Sequence, residues 1–120
     1  MRKEEIFKYV KETFDSDPEY LWKNDPNSAV LRNNKNKKWF AIIMYVLKEK
    51  LGLKGSGKVE IINLKCDPIL IGSLIGRKGF LPAYHMNKEY WISVILNDKN
   101  IPNDELLDLI NLSYELVNKK

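Results

Sequence analysis

The chain is poor in the residues that carry most catalytic and metal chemistry: among 120 residues it has one cysteine, Cys66, and one histidine, His85. One cysteine excludes an internal disulfide and fits a reducing compartment. One Cys and one His are two soft ligands at most, so a tetrahedral zinc site would need carboxylates to complete it, and neither CxxC nor HxxxH spacing occurs. A membrane-length apolar run is also missing, since the longest, Trp39 to Leu47, is the length of a strand. The opening MRKEEIFKYV has acids at Glu4 and Glu5 and no apolar h-region. Neither a secretion signal nor a transit peptide is read there, and the cytoplasm is the expected location. Repeats and low-complexity tracts are absent, and the six glycines match neither a Walker loop nor a dinucleotide fingerprint.

What is present is an ordinary globular composition, 44% apolar and 30% charged, in a length that suits a single domain over residues 1–120. The net charge of +4 conceals an uneven distribution. Residues 30–90 hold 12 Lys/Arg against 4 Asp/Glu, while residues 1–29 hold 5 against 7 and residues 91–120 hold 3 against 5. A basic middle between acidic ends suits an anionic partner such as nucleic acid or a phosphate-bearing ligand. The plainer reading is that lysines keep sheet surfaces soluble and sheet edges unpaired.

Helical spacing of Ile6, Phe7, Val10 and Phe14 predicts a helix over Arg2 to Phe14, ending before Asp15-Ser16-Asp17-Pro18. Tyr20 to Lys23 and Ser28 to Arg32, around the turn signal Asp25-Pro26-Asn27, predict an edge hairpin. Trp39 to Leu47 is apolar on both alternating faces, as a strand covered on both sides would be. Leu51 to Gly57 reads as a flexible loop and Val59 to Lys65 as the next strand. Asp67-Pro68 combines a capping carboxylate with a proline suited to the first helical position, so a short helix is expected near 67–75, stopped by Gly76 and Gly79. Pro82 predicts an edge segment over Gly79 to Met86, and Tyr90 to Leu96 a further strand. Asn103 is placed to cap a closing helix, with Asp104 and Glu105 at its start and Lys119 and Lys120 at its end to complement the helix dipole. The apolar set Leu106, Leu107, Leu109, Ile110, Leu112, Leu116 and Val117 predicts a well-buried helix. The sum is an α+β fold: a mostly antiparallel sheet with the N- and C-terminal helices on one face. Strict βαβ alternation is missing, which argues against a doubly wound nucleotide fold.

Cys66 with His85 is the obvious nucleophile and base to test, but a third group to orient the ring is not evident. A cysteine directly before Asp67-Pro68 is more economically a small apolar residue at a strand end. The acids Glu4, Glu5, Glu12, Asp15, Asp17 and Glu19 interleave with Lys3, Lys8 and Lys11, so pairing along the helix is expected in place of cation binding. No catalytic or metal-binding constellation is read, and no cofactor is expected. The remaining constellation is basic and aromatic: Lys65, Arg77, Lys78 and Lys88, with Arg32, Lys37 and Lys38, near Trp39, Tyr84, Tyr90 and Trp91. Cations reaching phosphates give sequence-independent, salt-sensitive affinity, and exposed aromatics stack on bases. Trp39 and Trp91 begin strands and are expected in the core, whereas Tyr84 and His85 follow Pro82 and are expected at the surface.

Four separated words, KKWFAII at Lys37 to Ile43, NLKCDP at Asn63 to Pro68, PAYHMNKEYW at Pro82 to Trp91 and ELLDLINLSYELV at Glu105 to Val117, resemble the MmcQ/YjbR family of small bacterial proteins. They occur in the expected order over nearly the full length. The resemblance implies a compact domain of frataxin-like CyaY architecture with a double-wing arrangement of strands, for which DNA binding has been proposed. It implies no established reaction. Lys65, His85, Asn87 and Lys88 fall in the family's distinctive words, and with Arg77, Lys78 and Tyr84 they form the expected nucleic-acid or anion-binding set. Lys65 and Lys88 would contact phosphate and Asn87 a sugar or base edge. Weak binding of double-stranded DNA is therefore expected. The alternatives are a small-anion or metabolite-binding protein, or an enzyme, with a pocket around His85, and a protein-interaction module, monomeric or homodimeric.

Overall fold

The computed structural model describes residues 1–118 as a five-stranded antiparallel sheet with three α-helices. In chain order these are α1 (Lys3–Phe14), β1 (Ala29–Arg32), β2 (Trp39–Leu47), a 3-10 turn (Lys48–Leu51), β3 (Lys58–Lys65), α2 (Pro68–Leu74), β4 (Phe80–Pro82), β5 (Trp91–Ile95) and α3 (Asn103–Val117). The sheet order is β1-β2-β3-β5-β4. The chain leaves β3 through α2, lays β4 at the far edge and returns β5 into the gap between them. Gly79 leads the chain into β4: its φ is +94° and an added Cβ would stand 2.5 Å from the Ile101 side chain.

Register assigns the faces. Leu31 pairs with Ala41, Ile43 with Ile62, Leu64 with Ile92 and Ile62 with Val94, which sets these apolar side chains on one face. They form one core with Ile6 and Val10 of α1, Ile71 and Leu74 of α2, and Leu106, Leu109, Ile110 and Val117 of α3. Phe40 joins it through a bulge. Leu31 pairs with Ala41 but Arg32 pairs with Trp39, so Phe40 is the extra residue and turns inward. Its ring meets Phe14 at 5.8 Å and Tyr114 at 5.2 Å, both edge-on. Ser113 ties α3 to the sheet there, donating to the Phe40 carbonyl at 2.5 Å and accepting from the Lys65 N–H at 2.9 Å. The Tyr9 hydroxyl donates to Asn111 Oδ1 at 2.7 Å and Phe14 stacks on Tyr114 at 3.8 Å, so α1 and α3 lie side by side.

Most predicted elements are present, with instructive departures. Asp67 caps α2 by accepting the Ile69 N–H at 2.8 Å, and Pro68 occupies the first turn, as the sequence predicts. The predicted edge hairpin reduces to one strand, β1, and a single bridge between Glu19 and Val30. Residues after Glu19 are drawn instead into the turn closed by Asp25 N–H to Trp22 and Ser28 N–H to Asp25. Asn103 does not cap α3: Pro102 takes the cap position, and Asn103 begins the helix proper. The apolar stripe of α3 is wider than its buried face, and Leu112 is exposed. Lys119 and Lys120, expected to complement the end of α3, lie outside the described residues. No helix among the described residues is long and apolar enough to cross a membrane.

Candidate nucleic-acid or anion interface

The sheet face opposite the helices carries a polar pair at its centre. Asn63 and Ser93 are paired across β3 and β5, and both are fully buried. Buried polar side chains need partners, and here the segment after β4 supplies them. Pro82 ends β4, and Tyr84 then lies over the pair. Its N–H donates to Ser93 Oγ at 2.9 Å, its carbonyl accepts from Asn63 Nδ2 at 3.0 Å, and Ser93 Oγ donates to Asn63 Oδ1. Both backbone groups of Tyr84 are thus satisfied by the sheet's own side chains.

His85 follows in the left-handed region, with φ +56°. Histidine tolerates that conformation better than branched or bulky residues do. The reversal leaves the exposed imidazole edge-on to Tyr84, with ring centroids 4.1 Å apart. Asn87 Oδ1 then accepts the Glu89 N–H at 2.8 Å and starts the turn that leads into β5. That bond occupies its carboxamide oxygen and leaves the amino group for a partner.

Two adjoining hollows flank this segment. One, of about 360 Å³, is lined by Lys50, Leu51, Leu81, Pro82, Ala83, Tyr84, His85 and Lys88. The other, of about 390 Å³, shares Lys50, Tyr84 and His85 and adds Lys58, Tyr45, Met44, Val46, Asn24 and Asp25 among others. Asp25 accepts a hydrogen bond from Ser28 Oγ, and the Lys58 ammonium lies 5.5 Å from the Tyr45 ring. Lys50, Lys58 and Lys88 have no carboxylate partner among the described residues. Lys50, in the 3-10 turn, borders both hollows, whereas Lys88, before β5, lines the first and Lys58, at the start of β3, the second.

The sequence-predicted set is only partly brought together. Tyr84, His85 and Lys88 line one hollow, with Asn87 in the same loop. Lys65 sits at the other end of β3 from Lys58, seven residues along, or about 23 Å. Arg77 is engaged elsewhere: its guanidinium donates twice to Glu105, both at 2.8 Å, and lies 5.0 Å from the Phe80 ring. The pairing holds the Glu105 carboxyl below its ordinary range and raises Arg77. Lys78 is exposed next to it in the chain and lines neither hollow. Lys50 and Lys58 were missed by sequence reasoning. The available signal was the lysine density of Lys48, Lys50, Lys54 and Lys58 against a single acid, Glu49.

Cys66 packs with the core and faces a narrow cleft of about 80 Å³ between α2 and α3, among Leu64, Leu70, Ile92 and Leu109. Burial pushes its thiol up, and Asp67 adds to the effect. His85 belongs to hollows on the opposite face, so the two do not form a thiolate–imidazole pair. In the acidic N-terminal region Lys11 bonds Asp15 at 2.8 Å and Asp17 at 3.0 Å, and Arg2 pairs with Glu5. Among the described residues no three His, Cys, Asp or Glu side chains converge as a metal site. The tryptophans depart from expectation: Trp39 and Trp91 are half-buried and outside the core, and Trp22 is exposed.

The uncharacterized protein YyaQ of Bacillus subtilis is 47% identical over 116 residues, covering 97% of this chain and 98% of YyaQ. A crystal structure of a protein from Pseudomonas syringae is 40% identical with a TM-score of 0.92, covering 97% of this chain and 98% of that one. The Deinococcus radiodurans protein DR2400, at 23% identity and a TM-score of 0.69, covers 94% of this chain and 78% of its own, and shares the fold. The model of the YjbR family matches residues 8–116, and the chain belongs to that family.

Proposed function

We propose that this protein binds DNA weakly through its phosphates, using the face opposite the helices. The observation that carries the reading is that Lys50 and Lys88 line one hollow with His85 while Lys58 stands at the margin of the adjoining hollow, none of the lysines being neutralised among the described residues. Three unpaired ammonium groups supply sequence-independent affinity that falls steeply with salt. The β2–β3 connection and the 83–90 segment stand on either side of the hollows and would serve as the two wings along a duplex. Lys65, Arg77 and Lys78 contribute less on this reading. The first lies at the far end of the strand and the second is held by Glu105.

A second reading rests on the volume of the hollow beside His85, about 360 Å³, which is within the range of small-ligand sites. There a small phosphorylated metabolite would take the place of the duplex backbone. The test is duplex retention at several salt concentrations for the Lys50→Glu, Lys58→Glu, Lys88→Glu triple variant, checked by circular dichroism for folding. Loss of retention, with a reduced salt slope for single Lys→Ala changes, is expected. Unchanged retention in the folded triple variant overturns the DNA reading. A thermal shift with nucleotides or sugar phosphates, combined with no duplex retention in the wild type, selects the metabolite.

A further inference from the structure

All three tryptophans of this chain stand outside its buried core, and they gather at one end of one sheet face. Lys65 pairs with Trp91, each two residues along its strand from the Asn63–Ser93 pair, so both point to the face away from the helices. Arg32 pairs with Trp39 beyond the bulge, and its guanidinium lies 5.7 Å from the Trp39 ring. Arg32 is two residues from Val30, whose partner Ile42 lies beside Asn63 on that same face. Trp22 meets Trp39 edge-on at 5.9 Å. Trp39 and Trp91 are on strands separated by β3 alone, a lateral spacing of about 10 Å.

The charge around this row is cationic. Lys35, Lys37 and Lys38 are exposed in the turn that leads into Trp39, and Lys65 lies between the two strand tryptophans. None of the four has a carboxylate partner among the described residues. Of the nearby acids, Glu19 is held by Arg32 at 3.0 Å, Asp25 accepts from Ser28, Asp67 caps α2 and Asp15 is held by Lys11, while Glu89 stands in the turn before β5. Half-buried indole rings offer flat apolar surface, and four lysines select an anion to lie across it. A duplex keeps its base faces stacked on one another, so only an unpaired strand presents both a ring face and a phosphate at this spacing.

We infer that the row Trp22, Trp39 and Trp91, flanked by Lys65 and the lysines of the 35–38 turn, is a stacking platform for single-stranded nucleic acid. It is separate from the lysine-lined hollows, which lie toward the Lys58 end of β3. The bases stack on the indoles while the lysines hold the intervening phosphates.

The probes are a labelled octamer of deoxythymidine, an abasic deoxyribose-phosphate octamer and a short duplex. Because all the tryptophans belong to the platform, intrinsic emission reports on it directly. The thymidine octamer is expected to quench that emission, and to bind at least about fivefold more tightly than the abasic strand for each indole engaged. Trp39→Ala and Trp91→Ala should each remove a comparable factor. Trp22→Ala, in an exposed turn, provides a variant with little risk to folding and should reduce quenching. Equal affinity for the thymidine and abasic strands overturns the platform, as does unchanged emission when anisotropy shows the strand bound, or no binding at low salt. A duplex that binds while the thymidine strand leaves the emission unchanged refutes the platform alone. Quenching by the thymidine strand, with duplex retention unaffected by Lys→Glu at 50, 58 and 88, refutes the phosphate-binding hollows alone.

Discussion

On the helix-covered face of the sheet, Leu31, Ala41, Ile43, Ile62, Leu64, Ile92 and Val94 pack against three helices. On the opposite face the buried centre is Asn63 with Ser93, overlaid by the irregular Tyr84 segment, and lysines and tryptophans surround it. Helices satisfy their own backbone groups, so they can cover an apolar surface with side chains alone. A loop brings unpaired N–H and C=O groups, and a sheet can bury it only by supplying polar partners. The polar face therefore holds the candidate interfaces because loops, unlike helices, can present His85, Lys88 and Lys50 around a hollow. The same polar anchors make that presentation specific.

The largest effect should come from the helix-covered face. Phe40→Ala empties the bulge position between Phe14 and Tyr114 and is expected to cost about 3–5 kcal/mol in urea unfolding. Asn63→Ala should cost less, about 1–3 kcal/mol, by leaving the Tyr84 carbonyl and Ser93 hydroxyl short of partners. Its signature should be local: faster amide exchange over residues 83–90, and weaker binding at the hollows, with the helix-face amides still protected. If Asn63→Ala matched Phe40→Ala in cost and loosened the whole sheet, the two faces would be held alike.

The smallest effect concerns the rim. Arg77 holds the folded-state carboxyl of Glu105 below its unfolded value, so the pair's contribution is complete above the ordinary glutamate value, about 4.3. It is lost as pH falls through the depressed folded value. Arg77→Met, which keeps an apolar contact for Phe80, should lower the melting temperature slightly at neutral pH. The difference from wild type should close as pH falls through that depressed folded value. Both groups are partly exposed, so solvent screens the pair. A gap that persists at low pH would assign the effect to lost packing.

Much of the framework was legible because its causes are local. The apolar spacing of Ile6 and Val10 places α1, Asp67-Pro68 starts α2, and the apolar stretch Trp39 to Leu47 is a strand as read. The edge hairpin was misread because turn residues at 25–28 compete with strand pairing for the same backbone groups. The interface was less legible. Arg77 looks available in sequence and is captured by Glu105, 28 residues later. Lys50 and Lys58 flank what reads as a loop, and Lys50 meets Lys88 only after the sheet closes.

By itself the sequence determined most of the elements, the α+β class, the basic middle and the words that mark the YjbR family. These follow from periodicity, caps and composition within a few residues. Only the tertiary structure decided which cations remain unpaired, that Cys66 and His85 lie on opposite faces, and that all three tryptophans stay outside the core. Coulomb and packing energies depend on separation in space, and the bulge at Phe40 together with the return of β5 sets those separations between residues far apart in the chain.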